Sequence, residues 1–136
     1  MPDLGSTEFT MLWASAVLGT VYLLAAVIPS VLGRGLPWAM GPRDEPPADA
    51  GKVAARLDRA WKNFVETFPL FVAAILVEAS VVQDSDLAGI GAQLYFWGRV
   101  AFLPIYALGL PVVRTLAWTV SFAGIAMVLA AALPGV

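Results

Sequence analysis

The sequence predicts an all-α membrane protein, a bundle of four transmembrane helices with the N- and C-termini outside. Three observations carry this reading. Of 136 residues, 60% are hydrophobic and 13% charged, about half the charged share of an ordinary soluble domain. Two runs carry no charge at all, Phe9 to Gly33 with 25 residues and Thr115 to Val136 with 22. Each meets the roughly 20 residues that cross about 30 Å of hydrocarbon as a helix. A third run, Leu87 to Val113, is broken by one charge, Arg99.

The first helix is expected over about residues 7–32. A secretory signal would need a basic leading segment and a shorter apolar core, whereas Asp3 and Glu8 precede this run, so it reads as a span. Gly35, Pro37, Gly41, Pro42, Pro46 and Pro47 then rule out continuous helix between Gly33 and Gly51 and predict a loop, with Trp38 at headgroup level.

The second helix, about 52–82, is charged at its start, and its first two turns should project beyond the hydrocarbon. Arg56, Arg59, Asn63 and Glu66 fall at offsets of 3, 7 and 10 and so share one helical face, leaving the opposite face for lipid or neighbouring helices. Pro69 removes a backbone bond just beyond Glu66 and predicts a kink. The short connection around Gln83 to Asp86 makes the second and third helices antiparallel neighbours. The third helix is expected over about 87–109. Gly109 to Arg114, containing Pro111, is the last connection, and the fourth helix follows over about 113–133. Gly89, Gly91 and Gly98 should let helices approach closely. The whole chain, 1–136, reads as one domain without repeats.

Charge sets the orientation. Arg34, Arg43, Lys52, Arg56, Arg59 and Lys62 fall in the first connection or the opening turns of the second helix, and Arg114 falls in the third connection. Both connections are therefore expected in the cytoplasm. The N-terminus, with Asp3 and Glu8, and the second connection, with Asp84 and Asp86, are expected outside.

Composition also excludes function classes. Without cysteine or histidine the chain has no thiolate nucleophile, no imidazole base and none of the usual zinc or haem ligands, so no metal site is expected. Any reactive sulfur must come with a substrate. A net charge of −2 offers no basic surface for nucleic acid. A transporter or channel would need a continuous polar path, which one polar stripe and one deep arginine do not supply.

The residues that could carry chemistry are few. An arginine at the depth of Arg99 costs about 3 kcal/mol to insert, so it should face the bundle interior and have a partner. Arg59, Asn63 and Glu66 offer a fork of donors, an amide and a carboxylate along about two turns of the second helix. That set suits a small zwitterion, with its carboxylate on the arginine and its ammonium on the glutamate. The plainer alternative makes Arg56, Arg59 and Lys62 juxtamembrane anchors, Asn63 an interhelical hydrogen bonder, and Glu66 the counter-ion of Arg99. Arg114 reads most simply as a further anchor. Tyr95, Trp97 and Tyr106 read as packing or interface aromatics, and Glu78 as a group near the outer interface.

The run Arg59-Ala60-Trp61-Lys62-Asn63-Phe64-Val65-Glu66-Thr67-Phe68-Pro69-Leu70-Phe71 resembles the second-helix signature of the membrane-associated proteins in eicosanoid and glutathione metabolism, the MAPEG family. Its members include the microsomal glutathione transferases, leukotriene-C synthase and the lipoxygenase-activating protein. The shared pattern is an arginine, an asparagine four residues on, a glutamate three further, then an aromatic-Pro-Leu-Phe run. Gly109 to Trp118, reading GLPVVRTLAW, resembles the start of the fourth helix in bacterial members. The resemblance covers nearly the whole chain.

It implies a left-handed four-helix bundle in the bacterial inner membrane, assembled as a homotrimer, with glutathione as co-substrate between neighbouring subunits. It further implies a transferase that conjugates this small thiol to an apolar electrophile. Arg59, Asn63 and Glu66 match positions that contact glutathione, and Arg99 becomes the candidate catalytic residue, stabilising the thiolate. A thiol of pKa about 8.5 is mostly ionised at neutral pH only where fixed positive charge favours the anion, and arginine provides that charge without taking the proton. Catalytic members carry a tyrosine directly after the second-helix glutamate, where this chain has Thr67. The alternative is therefore a non-catalytic, lipid-binding or scaffold protein of the same fold.

Overall fold

The structure, a computed structural model, describes residues 3–81 and 85–135. Among them the ordered elements are all helical: α1 (Thr7–Arg34), α2 (Leu36–Met40), α3 (Lys52–Val81), α4 (Asp86–Leu108) and α5 (Pro111–Ala131). Helices α1, α3 and α5 are each long and apolar enough to cross a membrane. Val82, Gln83 and Asp84, which include the first half of the expected second connection, lie outside the described residues.

Local chemistry accounts for the helix ends. Ser6 accepts from the Phe9 amide at the start of α1, and Ser85 accepts from the Ala88 amide at the start of α4, each satisfying a donor with no intrahelical partner. Helix α4 therefore begins at Asp86, one residue before the expected start. Helix α5 begins at Pro111 rather than about residue 113, because proline's fixed φ suits a first helical turn. The single-turn α2 departs from the expected loop for the same reason, with Pro37 in its opening turn. Helix α1 continues past Pro29 to Arg34, and α3 runs unbroken in register through Pro69.

The four long helices alternate in direction. Phe64 of α3 packs on Tyr22 of α1, with ring centroids 4.7 Å apart. Phe71 of α3 stacks on Tyr95 of α4 at 4.0 Å. Helices α4 and α5 make the most extensive pairing, and glycine explains it. A Cβ on Gly91 would come within 2.7 Å of the Gly124 carbonyl oxygen, and one on Gly124 would collide with the Gly91 carbonyl. The two backbones thus touch, as small residues permit in membrane bundles.

Two buried clusters fill the interior. One gathers Phe71, Ile75, Tyr95, Ile125 and Val128, and the other Tyr22, Ala60, Phe64, Phe102 and Ala117. Large apolar side chains also cover the outside of every long helix, among them Trp13, Leu76, Trp97 and Leu116. So much exposed apolar surface is incompatible with water and fits a lipid environment. The end formed by the C-termini of α1 and α4 and the N-termini of α3 and α5 carries seven of the eight Lys and Arg residues. The eighth is Arg99.

Candidate functional site

Helix α4 presents Tyr95, Arg99, Phe102 and Tyr106 at spacings of 4, 3 and 4, which places them on one stripe. That stripe faces α3 and α5. Arg99 is completely buried. Its Nη1 donates to Asn63 Oδ1 at 2.7 Å and its Nη2 to Thr67 Oγ1 at 2.7 Å. The guanidinium lies 4.9 Å from the ring centre of Phe102 and 5.8 Å from that of Tyr95, within range of cation–π attraction. Thr67 also shares a hydrogen bond with the Tyr95 hydroxyl at 3.3 Å. Tyr22 Oη of α1 donates to the Arg99 carbonyl at 2.6 Å, so three helices hold this one residue. Its Nε has no partner among the described residues.

The polar stripe of α3 divides. Asn63 turns inward, to Arg99. Arg59 and Glu66 are exposed on this chain, and Glu66 is not among the partners of Arg99. The expected counter-ion pairing is therefore replaced by two neutral oxygens: Glu66 lies about 60° around the helix from Asn63 and is exposed. Arg59 stays close to the site, its Nε donating to Tyr106 Oη at 3.3 Å. Arg56 takes a structural place: its Nη1 donates to the Ala107 carbonyl at 3.3 Å, at the end of α4 where Gly109 adopts φ 74°. A positive side chain there meets the negative end of the helix dipole. A Cβ on Gly109 would lie 2.7 Å from that guanidinium, which as the end of a flexible side chain can move aside, so it is the backbone angle that calls for glycine. Glu78 is buried.

Beside this network lies a cavity of about 300 Å³ lined by Asn63, Phe102, Tyr106, Arg114, Thr115 and Trp118. The Arg114 guanidinium sits 5.0 Å over the Tyr106 ring. Because Asn63 Oδ1 accepts from Arg99, the amide orientation is fixed, and its Nδ2 remains as a donor for a bound group. The cavity can therefore offer an anion a guanidinium, an amide donor and a phenol, beside the rings of Phe102 and Trp118.

Sequence reasoning treated Arg114 as an anchor and Tyr106 as packing, and gave Thr67 and Tyr22 no part. The regular stripe from Tyr95 through Arg99 and Phe102 to Tyr106 was the available signal for Tyr106. Nothing local marked Tyr22, 77 positions from its bonding partner. Among the described residues no group of three or more acidic, histidine or cysteine side chains is placed to hold a metal.

No curated protein matches the chain. A model of the MAPEG family matches residues 11–134, nearly the whole length, and the chain belongs to that family.

Proposed function

We propose that the protein spans the bacterial inner membrane four times, with both termini outside and the basic end in the cytoplasm. In this reading three copies assemble, and the cavity binds a glutathione-type thiol and conjugates it to an apolar electrophile. Helix α4 completes the four spans as the third in chain order, its one deep charge absorbed by Asn63, Thr67 and two aromatic faces. The seven basic residues gathered at one end support the orientation.

The observation that carries the chemistry is Asn63, oriented by Arg99 and opening on the cavity that also holds Arg114 and Tyr106. Arg59 takes a carboxylate of the thiol peptide, Glu66 takes its ammonium, and Asn63 donates to its backbone. Both Arg59 and Glu66 are exposed on the isolated chain, as residues at a site between subunits would be. Arg114, whose guanidinium has room beside it, stabilises the thiolate. Arg99, with both terminal nitrogens occupied, acts as a positioning residue by holding the Asn63 amide. The thiol proton leaves to water at the basic end. The sulfur lone pair then forms the carbon–sulfur bond while the electrophile's leaving group departs with its electron pair, or, in an addition, the carbanion takes a proton from water. Positioning of two reactants and charge stabilisation are the whole of the catalytic task.

The scaffold reading draws on Thr67, which turns into the bundle and is spent on Arg99 and Tyr95, so the residue after Glu66 supplies no aromatic hydroxyl. Ultraviolet difference spectra of the detergent-purified protein with glutathione separate the two. Transferase chemistry gives a thiolate band in the wild type that disappears in Arg114→Ala while binding persists. In Asn63→Asp the acceptor for Arg99 survives and the donor is lost, so fold is retained and binding falls. Binding without a thiolate band in the wild type supports the scaffold, and absence of binding rejects the thiol.

A further inference from the structure

A second pocket lies on the opposite side of α3 from the Asn63 cavity, where α1 gives way to α2. It encloses about 250 Å³, and Ser30, Arg34, Trp38, Arg43, Asp58 and Trp61 contribute its polar and aromatic lining. The Trp38 ring is approached by two guanidiniums, Arg34 at 5.6 Å and Arg43 at 5.2 Å from its centre. The ring is itself fixed, because its Nε1 donates to the Glu45 carbonyl at 2.8 Å and so ties α2 to the following loop. Arg43 adopts φ 59°, a left-handed backbone that costs a non-glycine residue roughly 1 kcal/mol or more. Its Nε and Nη2 both donate to the Ala39 carbonyl, which holds the side chain against the ring. Arg34 Nε is buried and has no partner among the described residues. A buried donor left unpaired is costly, and here it borders a pocket.

The charge balance favours an anion. The lining carries two permanent cations, Arg34 and Arg43, against one carboxylate, Asp58, which itself has Lys62 at 2.9 Å, so the balance there is positive. The location narrows the choice. Leu32, Leu36 and Met40 are exposed around it, and Leu36 and Met40 lie on one side of α2, so this short helix presents apolar side chains to lipid at the level where headgroups begin. A planar carboxylate is satisfied by one guanidinium fork. Donors arriving from two separate guanidiniums and a serine hydroxyl suit a tetrahedral oxyanion with acceptors on several sides.

We propose that the Arg34–Trp38–Arg43 pocket is a phosphate-binding site that holds a phosphate group at the membrane surface, separate from the thiol cavity. The phosphate of an anionic phospholipid and that of a soluble phosphate ester share this chemistry, and the experiment distinguishes them. Purified protein is placed in nanodiscs of phosphatidylcholine with a minor fraction of phosphatidic acid, and bound phosphorus is followed by phosphorus NMR line broadening, with and without added inorganic phosphate. The expected result is an immobilised phosphorus signal in the wild type. Binding should weaken about five-fold in Arg43→Gln and about thirty-fold in the Arg34→Gln/Arg43→Gln double variant. Insensitivity to inorganic phosphate supports a lipid headgroup as the source. Competition by inorganic phosphate supports a soluble phosphate ester. Arg43 lies in an exposed loop outside the helices, so Arg43→Gln remains informative should the double variant lose its helical circular dichroism. A wild type without immobilised phosphorus, or an Arg43→Gln variant that binds as the wild type does, overturns the proposal.

Discussion

Arg99 and Arg114 put the same guanidinium into opposite surroundings. Around Arg99 the interior is closed: Asn63 and Thr67 take its terminal nitrogens, Phe102 and Tyr95 flank it, and Tyr22 holds its carbonyl. Around Arg114 one aromatic ring and a cavity are present. In a medium of low polarity a cation without a carboxylate is stabilised by neutral oxygens and π faces, and once these are in place few donors remain for anything else. On the proposed reading, depth does not mark the reactive arginine. Terminal donors left over for a ligand do, and Arg114 of the open cavity has them where Arg99 has its terminal nitrogens occupied. Asn63 joins the two regions, its oxygen in the closed one and its nitrogen available to the open one.

The closed region should carry most of the stability, and Arg99→Ala tests that most severely. Removing so large a buried side chain leaves a cavity, which for large-to-alanine changes costs about 3 kcal/mol or more. Loss of donors to Asn63 and Thr67 adds about 0.6 kcal/mol each on the scale measured inside membranes. A large fall in thermal midpoint in detergent is expected, and glutathione binding should fall with it because Asn63 is no longer oriented. An unchanged midpoint would break the contrast between the two sites.

A paired measurement sharpens the same contrast through volume instead of charge. Gly124→Val inserts a branched side chain where two backbones already touch and should cost about 1–3 kcal/mol. Thr115→Val changes a residue that borders the open cavity and whose hydroxyl bonds only locally, to the Pro111 carbonyl, so its cost should be below about 0.5 kcal/mol. Equal losses in the two variants would show the cavity to be as tightly held as the α4–α5 seam.

The fold was legible because hydropathy reports the solvent. Uncharged runs of membrane-spanning length marked α1 and α5, and the charge-free heart of α3 with its periodic polar face marked the other long apolar helix. The one-turn α2 was hidden behind Pro37, because proline is unfit for helix interiors and well suited to helix starts. The site was legible in part. Residues of α3 were found because they share one helical face, yet a face about 100° wide can contain both the inward Asn63 and the outward Glu66. Which side of it meets a neighbour depends on how the helix is rolled against α4, and no local spacing encodes that roll. Tyr22 lay further still from view, because its partner is a backbone carbonyl and any residue could have supplied one.

Tyr22→Phe removes a single hydrogen bond, to the Arg99 carbonyl, while leaving the ring packed at a tilt against Phe64. The expected loss is about 0.6 kcal/mol, a small shift in thermal midpoint. Thiol binding should barely change, since the guanidinium keeps its own partners. A drop in binding much larger than the drop in stability would mean that the Tyr22 bond sets the depth of Arg99 as well as anchoring it.

Arg114→Ala should disturb the fold least. Among the described residues its contact with the bundle is the Tyr106 ring at 5.0 Å, and such a cation–π contact near a surface is worth about 0.5–1 kcal/mol. Much of that is offset when the cation is lost from a helix N-terminal turn, where the macrodipole already disfavours it. The melting temperature should therefore stay near that of the wild type. The thiolate signal should vanish, because a bound thiol of pKa about 8.5 has then lost the nearest fixed charge that ionises it. Arg114→Lys keeps a positive charge and should restore part of the signal, with the ionised fraction reduced by the shorter reach of an ammonium and the loss of the planar fork. If Arg114→Ala keeps the full thiolate signal, the sulfur is answering to Arg99 through Asn63, and the closed region would then be the reactive one.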